Sequence, residues 1–243
     1  MDEHENLYEK IQEILGGAQG KLKVLEQQID MDLQVKYYEC SKKLRNDLDE
    51  QWALENAKYL YEPGYSSQVK REILARLASI DKVDCYRFIE EFLKVAEEEL
   101  QDWAVLALNE SRMLLESRLL DESQVFISTG LGGKKEKLRY FVVLVSRSKM
   151  DLDETQRKVI SNEFDFILKM YDAEVEEISF SENMATLLLL LPMNHSLKLV
   201  FNEAIEECNK YGDFLNADFI VTNVRTLSFA EIKAFLERKR EKD

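Results

Sequence analysis

The chain has 243 residues, 45% of them hydrophobic and 10% aromatic, a composition that is typical of a globular protein and excludes a disordered one. Its formal net charge of −14 repels phosphate backbones and anionic lipid, so we expect neither nucleic acid nor a membrane as a partner. Three separated cysteines without a CxxC motif argue against a disulfide framework. The acidic start differs from a signal peptide, and the longest apolar run, Leu187–Met193, is too short to span a bilayer. These features predict a soluble cytoplasmic protein.

Up to about residue 124, apolar residues recur every three or four positions, and this period predicts a helical first half. Glycine and proline are scarce, with 8 and 2 in the chain, so few breaks interrupt the pattern. An interruption near Asp30 is left open. The predicted helices cover, approximately, Glu3–Leu15, Lys21–Arg45, Asp49–Tyr61, Ser66–Ile80, Asp81–Leu93 and Gln101–Leu120.

Two segments of this half repeat a Trp-Ala pair. Trp52 and Trp103 each precede an alanine near a predicted helix start, and they lie 51 residues apart, somewhat more than the roughly 40–47 residues of one HEAT or armadillo unit. The helices at Val69–Leu93 and the apolar run that begins at Trp103 resemble HEAT-type repeats. This resemblance implies antiparallel helix pairs over residues 1–122. A plain helical bundle is the alternative.

After residue 124, short strand-like apolar runs alternate with helical stretches. From Leu138 the order β-α-β-β-α-β resembles the ferredoxin-like fold. The predicted class is α+β: an all-helical domain (1–122) and a ferredoxin-like α/β domain (123–243) with an extra amino-terminal strand and a carboxy-terminal helix. Because this fold hosts many unrelated activities, the resemblance implies no functional residues. The predicted elements are strands at Gln124–Thr129, Leu138–Ser146, Glu174–Phe180, Ala185–Leu191 and Phe219–Val224, helices at Asp153–Tyr171 and Ser196–Tyr211, and a last helix opened by the capping box Ser228–Glu231.

The two strands predicted to lie at the centre of this sheet, Leu138–Ser146 and Ala185–Leu191, are apolar at odd and even positions alike. A sheet with one wet face alternates instead. We therefore expect the second face to be covered, by the amino-terminal helices, the last helix or a second subunit. Our hypothesis favours the helical half or a dimer partner.

The most suggestive local feature is the glycine-rich segment Ser128–Arg139, a basic stretch in an acidic chain. Backbone amides in such loops bind anions, with nearby cations supplying charge. The segment matches neither a P-loop nor a GxGxxG motif. A β-hairpin loop with solvated lysines is the favoured alternative. The candidate residues for binding an anion or a partner are Gly130, Gly132, Gly133, Lys134, Lys135 and Arg139.

No catalytic set stands out. The two histidines, His4 and His195, are isolated, and Cys85 and Cys208 lie on apolar helical faces, where they are predicted to be core thiols. No metal-ligand spacing occurs, and no cofactor is predicted. Of the exposed aromatics that an RNA-binding sheet requires on its central strands, the sequence offers only the pair at 140–141.

The leading functional interpretation is a non-catalytic cytoplasmic protein-interaction scaffold or adaptor, because helical repeats present extended surfaces. A homodimer is left open. The alternative is a sensor that binds a small molecule or an anion between the two domains, and a carboxylate-dependent enzyme ranks third. The segments Ile127–Gly133 and Phe219–Val224 resemble bacterial proteins of similar length and unknown function, which implies no activity.

Overall fold

The computed structural model describes residues 22–120, 125–148 and 150–240. The helix predicted at Glu3–Leu15 lies outside these residues. The chain divides into two compact units. The helical unit contains Ile29–Ile127, and the α/β unit contains Val24–Gln28 and the chain from Ser128 onward. Helices thus precede an antiparallel sheet, which confirms the α+β class. The predicted domain boundary at 122/123 stays a prediction.

The helical unit is built around its longest helix, α5, which packs against α1, α3 and α4. Apolar side chains from these helices form its core, and Leu74, Ile89 and Leu106 are almost fully buried. A 3₁₀ helix, Ala57–Tyr61, extends α2 toward the Pro63 break. The predicted HEAT-type pairing stays an interpretation of this packing. The helices are α1 (Met31–Arg45), α2 (Glu50–Asn56), α3 (Ser67–Ala78), α4 (Val83–Leu93) and α5 (Glu98–Leu120).

The predicted helix at Lys21–Arg45 is wrong in its first part. Leu22–Val24 forms strand β1, and the helix begins only at Met31. The carboxylate of Asp30 accepts the amide N–H groups of Asp32 (2.9 Å) and Leu33 (3.1 Å), so the suspected interruption is the start of the helix. Leu25 and Ile29 are buried outside a helix, and burial there also selects apolar residues, so their helical spacing is a coincidence.

The strand predicted at Gln124–Thr129 does not join the main sheet. Val125–Ile127 forms β2, which pairs with β1 in a separate two-stranded sheet. The additional strand of the main sheet is instead the short β3, Gly133–Lys134, which pairs with the start of the next strand.

The main sheet of the α/β unit is antiparallel throughout, with the spatial order β5–β6–β4–β7, and β3 lies beside the start of β4. Helix α6 links β4 to β5, and α7 links β6 to β7. This is the element order that the sequence predicts; the ferredoxin-like name stays our interpretation of it. The elements are β4 (Lys137–Val145), α6 (Glu154–Met170), β5 (Glu174–Ser181), β6 (Met184–Pro192), α7 (Leu197–Asn209), β7 (Ile220–Thr222) and α8 (Phe229–Arg240).

One face of this sheet packs against α6 and α7. Alternate residues of the central strands, such as Leu144 and Leu187, point into this layer and are fully buried. The rings of Phe164 on α6 and Phe201 on α7 meet there with centroids 5.4 Å apart. The layer is the larger of the two cores of the unit.

The second face is also covered, as the apolar pattern predicts. Phe141, Val143 and Met184 are buried on this side against Ile232 of α8 and Leu131 of the glycine-rich segment. The covering helix belongs to the same unit, so the hypothesis of a cap formed by the helical half or a dimer partner is corrected. The capping box starts α8 soon after β7, and the chain therefore folds back over its own sheet.

We expect the replacement Asp153→Ala to lower the free energy of unfolding of the α/β unit by about 1 kcal/mol. The carboxylate of Asp153 accepts the amide N–H of Gln156 at 2.8 Å, and the Gln156 side chain accepts the amide N–H of Asp153 at 3.0 Å. Urea unfolding measures the loss. Asp151→Ala, at an exposed position two residues earlier, is the matched control, and an equal loss there would contradict the capping role.

Candidate functional site

The candidate site is the glycine–lysine hairpin, which we define as residues 130–139. Gly133 pairs with Leu138 and Lys134 pairs with Lys137, so a two-residue turn remains at Lys135 and its neighbour. Lys135 has a φ of +56°, in the left-handed region that such a turn requires. Lys134 and Lys135 are exposed at this tip, whereas the glycines before it are buried.

Glycine is required at positions 130 and 132 because other backbone segments approach them too closely for a Cβ atom. A Cβ on Gly130 would lie 1.8 Å from the carbonyl oxygen of Val224. A Cβ on Gly132, which has a φ of +66°, would lie 2.5 Å from the carbonyl oxygen of Gln27. Two amides of the segment are also used internally, since Leu131 donates to the carbonyl of Asn223 (2.9 Å) and Gly132 to that of Thr129 (3.1 Å). The glycine segment is therefore a packed junction, and these two amides are not available to an anion.

Arg139 holds this junction together. Its Nη2 donates to Glu176 on β5 at 2.9 Å, with Nε donating to the second oxygen of the same carboxylate. Its Nη1 donates to the carbonyl of Leu131 at 2.7 Å. Only 13% of the side chain is exposed. A bidentate guanidinium in this position fixes geometry, so we assign Arg139 a positioning role.

The lysines of the hairpin are paired to different degrees. Lys134 Nζ lies 3.2 Å from a Glu174 carboxylate oxygen, in a pair whose side chains are about half exposed. Lys137 is far less exposed and contacts both Asp172 (3.1 Å) and Glu174 (2.9 Å). Hydrogen bonds from Lys137 and Lys134 lower the pKa of the Glu174 carboxyl below its usual value. The predicted solvated lysines are thus partly neutralised by β5.

Lys135 differs from its neighbours. Its amide N–H donates to the Glu26 side chain at 3.4 Å, which anchors the tip. Among the residues that the structure describes, no carboxylate lies within ion-pair distance of its ammonium group. The candidate residues are therefore brought together, but they divide into a buried scaffold of glycines and Arg139 and an exposed cationic tip.

The other chemical candidates lie in structural positions. Burial raises the pKa of the Cys85 thiol to about 11 and that of Cys208 to about 12, which confirms them as core thiols. His195 packs edge-on against the ring of Tyr171, with centroids 5.2 Å apart. Within the described ranges, no three His, Cys, Asp or Glu side chains form a group that could hold a metal ion. Tyr140 points into the α6–α7 layer, so it offers no platform for bases.

Sequence reasoning missed the buried carboxylate of Glu110 in the helical unit. Its carboxylate accepts hydrogen bonds from the hydroxyls of Tyr37 (2.6 Å), Ser41 (2.7 Å) and Ser79 (3.4 Å), and it pairs with Arg45. Burial, together with this carboxylate, raises the pKa of Tyr37 well above its usual value, so the phenol remains a donor. The cluster ties α1 and the end of α3 to α5.

The signal for this cluster was present in the spacing. Glu110 lies three, four and seven positions after Ala107, Leu106 and Trp103, which places it on the buried stripe of α5. A carboxylate on such a stripe requires partners. The Tyr37 and Ser41 hydroxyls and the Arg45 guanidinium are those partners. The cluster therefore serves packing in the helical unit.

Comparison with known proteins gives solved structures alone, since no protein-family model and no curated protein matches the chain. A candidate transposase from Deinococcus radiodurans R1 is 17% identical with a TM-score of 0.36, and the match covers 44% of this chain and 93% of that one. A REP-associated tyrosine transposase bound to a REP hairpin is 11% identical with a TM-score of 0.32, and covers 41% of this chain and 61% of that one.

Two predictions from the sequence are corrected against these matches. These two structures are a candidate transposase and a transposase bound to a REP hairpin, not interaction scaffolds. The functional prediction, a protein-interaction module with a sensor as its alternative, and the partner prediction that excluded nucleic acid are therefore wrong. At these TM-scores the matches carry no argument for transposition by this chain.

Membrane partners were also not expected. None of the helices within the described ranges is both long and apolar enough to cross a bilayer. The cytoplasmic location stays a prediction.

Proposed function

We propose that the α/β unit binds the phosphate backbone of nucleic acid, with Lys134 and Lys135 as the contacting groups. The observation that carries the proposal is the pair of adjacent exposed ammonium groups at the tip of an anchored hairpin. A loop fixed by backbone packing and by Arg139 loses little conformational freedom when it binds.

The charge distribution supports this choice of unit. From Ser128 onward the chain has 17 Lys and Arg against 20 Asp and Glu, whereas the first 127 residues have 16 against 27. The strong negative charge that argued against nucleic acid thus belongs mainly to the first half of the chain. Repulsion of phosphate by this half of the chain is therefore weaker than the total charge implies.

The covered faces of the sheet also limit which parts of a nucleic acid the unit can recognise. Because α6, α7 and α8 cover the two faces of the sheet, bases cannot stack on its central strands. Lysines that contact phosphate oxygens carry no sequence information. The proposed activity is therefore sequence-independent binding, with a dissociation constant on the order of 10⁻⁵ M at physiological salt.

We expect the double replacement Lys134→Ala with Lys135→Ala to abolish most of the salt dependence of binding. Two phosphate contacts give a slope of about −1.8 in log affinity against log salt, so wild-type affinity falls roughly tenfold between about 50 and 200 mM salt. Fluorescence anisotropy of a labelled DNA duplex measures both proteins.

The matched control is Lys158→Ala with Lys169→Ala, which removes the same charge from exposed positions on α6. It should retain the wild-type slope. If wild type does not bind the duplex at low salt, or if the control weakens binding as much as the hairpin variant, the proposal is wrong.

A further inference from the structure

In the free protein, Glu174 forms ion pairs with Lys134 of the proposed site and with Lys137 of the same hairpin. Its two carboxylate oxygens lie 3.2 Å from Lys134 Nζ and 2.9 Å from Lys137 Nζ. It is the first residue of β5, opposite Leu190 of the neighbouring strand, so the register of the sheet sets it beside the hairpin. A phosphate that approaches Lys134 meets this carboxylate first, and like charges repel.

We propose that Glu174 is an internal competitor that phosphate must displace from Lys134. This inference rests on the proposed function and concerns the regulation of the same site. The carboxylate lowers the affinity for every phosphate ligand that contacts Lys134, and a ligand with several phosphates in a row offsets this cost through a second contact. One isolated anion exchanges one ion pair for another, whereas a polyanion adds a contact at Lys135.

The local geometry allows this exchange at small cost. The Glu174 side chain is 46% exposed, so its carboxylate can turn into water when it leaves Lys134. Lys137 is only 13% exposed, but it keeps Asp172 at 3.1 Å as a second partner. Displacement therefore leaves no buried charge unpaired, which is the costly outcome in such rearrangements.

The contrast with Glu176 supports the assignment. Glu176 binds the Arg139 guanidinium through two oxygens, in a pair where the arginine is mostly buried. Removing that carboxylate would release the arginine from the junction with Leu131. Glu176 is therefore part of the scaffold, and Glu174 is the exchangeable carboxylate of the two.

We test the competitor with Glu174→Gln, measured by anisotropy with the labelled duplex at about 50 mM salt. Affinity should rise about threefold, as expected when one exposed ion pair no longer competes. Glu154→Gln, which removes one charge from an 87% exposed position on α6, is the control and should change affinity by less than half that factor. In a Lys134→Ala background, Glu174→Gln should give no gain.

An unchanged affinity in Glu174→Gln would overturn the inference, as would an equal gain in Glu154→Gln or a gain that persists without Lys134. If wild type binds and Lys134→Ala with Lys135→Ala weakens binding, but Glu174→Gln has no effect, only the competitor is wrong. If neither wild type nor Glu174→Gln binds, the proposed function and the competitor are both overturned.

Discussion

The replacement Gly130→Ala should destabilise the α/β unit by at least about 3 kcal/mol, at the upper end of what overpacking costs. The added Cβ would lie 1.8 Å from the carbonyl oxygen of Val224 and 2.7 Å from its carbon. Backbone cannot move aside as a flexible side chain does, so the segment after β7 would have to shift. That shift would also break the hydrogen bond from Leu131 to Asn223.

Gly64→Ala is the matched control for this prediction. A Cβ on Gly64 meets nothing within 4 Å, and the change should alter stability by less than about 1 kcal/mol. Because Gly64 belongs to the helical unit, urea unfolding is followed with one probe in each unit, and the loss is compared in the unit that carries each replacement. Equal stabilities would show that Gly130 does not approach the backbone of Val224, and the account of the hairpin as a packed junction would fail.

The second large effect is expected for Glu110→Ala, which should cost the helical unit about 3–5 kcal/mol. The change removes the shared acceptor of Tyr37 and Ser41 and leaves Arg45 without its partner. The Ser79 hydroxyl keeps the carbonyl of Ala75 as an acceptor at 3.0 Å. Buried hydroxyls that lose an acceptor keep their full desolvation cost. The methyl group also leaves a cavity among the side chains that surrounded the carboxylate.

Glu99→Ala on the same helix provides the control. Its carboxylate accepts from Ser67 at 2.9 Å and pairs with Arg71, but its side chain is 61% exposed. We expect a loss below about 1 kcal/mol there. Glu110→Gln, which keeps the volume and one acceptor oxygen, should fall between the two. A loss for Glu110→Ala no greater than for Glu99→Ala would contradict the buried cluster.

Local pattern predicted the elements of the α/β unit well. The runs 140–145 in β4 and 187–191 in β6 are aromatic, β-branched or leucine-rich, and within them no polar residue alternates as in a half-exposed strand. The same pattern predicted that two layers cover the sheet. It did not identify α8 as the covering element, because the apolar residues of a helix do not show which surface the helix packs against.

The first half shows where local pattern fails. Leu22, Leu25 and Ile29 satisfy a helical spacing, yet β1 forms because Val125–Ile127 supplies a strand partner about a hundred residues away. The one local sign in the sequence was Asp30, which caps the start of the helix. Pairing between distant segments is decided by tertiary contacts, which a window of a dozen residues does not contain.

The hairpin could be located from the sequence, but the division of its residues into a buried scaffold and an exposed tip could not. Glycines and lysines marked the hairpin, whereas the partners of Lys134, Lys137 and Arg139 come from β5 and depend on the sheet register. A glycine in a sequence also has two possible reasons, since the missing side chain allows close approach of either a ligand or another backbone segment. At Gly130 packing against Val224 is the reason.

The most direct test of phosphate binding by the hairpin is an NMR titration of the isotope-labelled protein with an unlabelled DNA duplex at low salt. We predict that the amide shifts of Lys134, Lys135 and Glu136 change most, with smaller changes at Glu174, while the exposed face of α6 is unaffected. Saturating additions that leave the hairpin amides unmoved, or that shift another surface instead, would contradict the account.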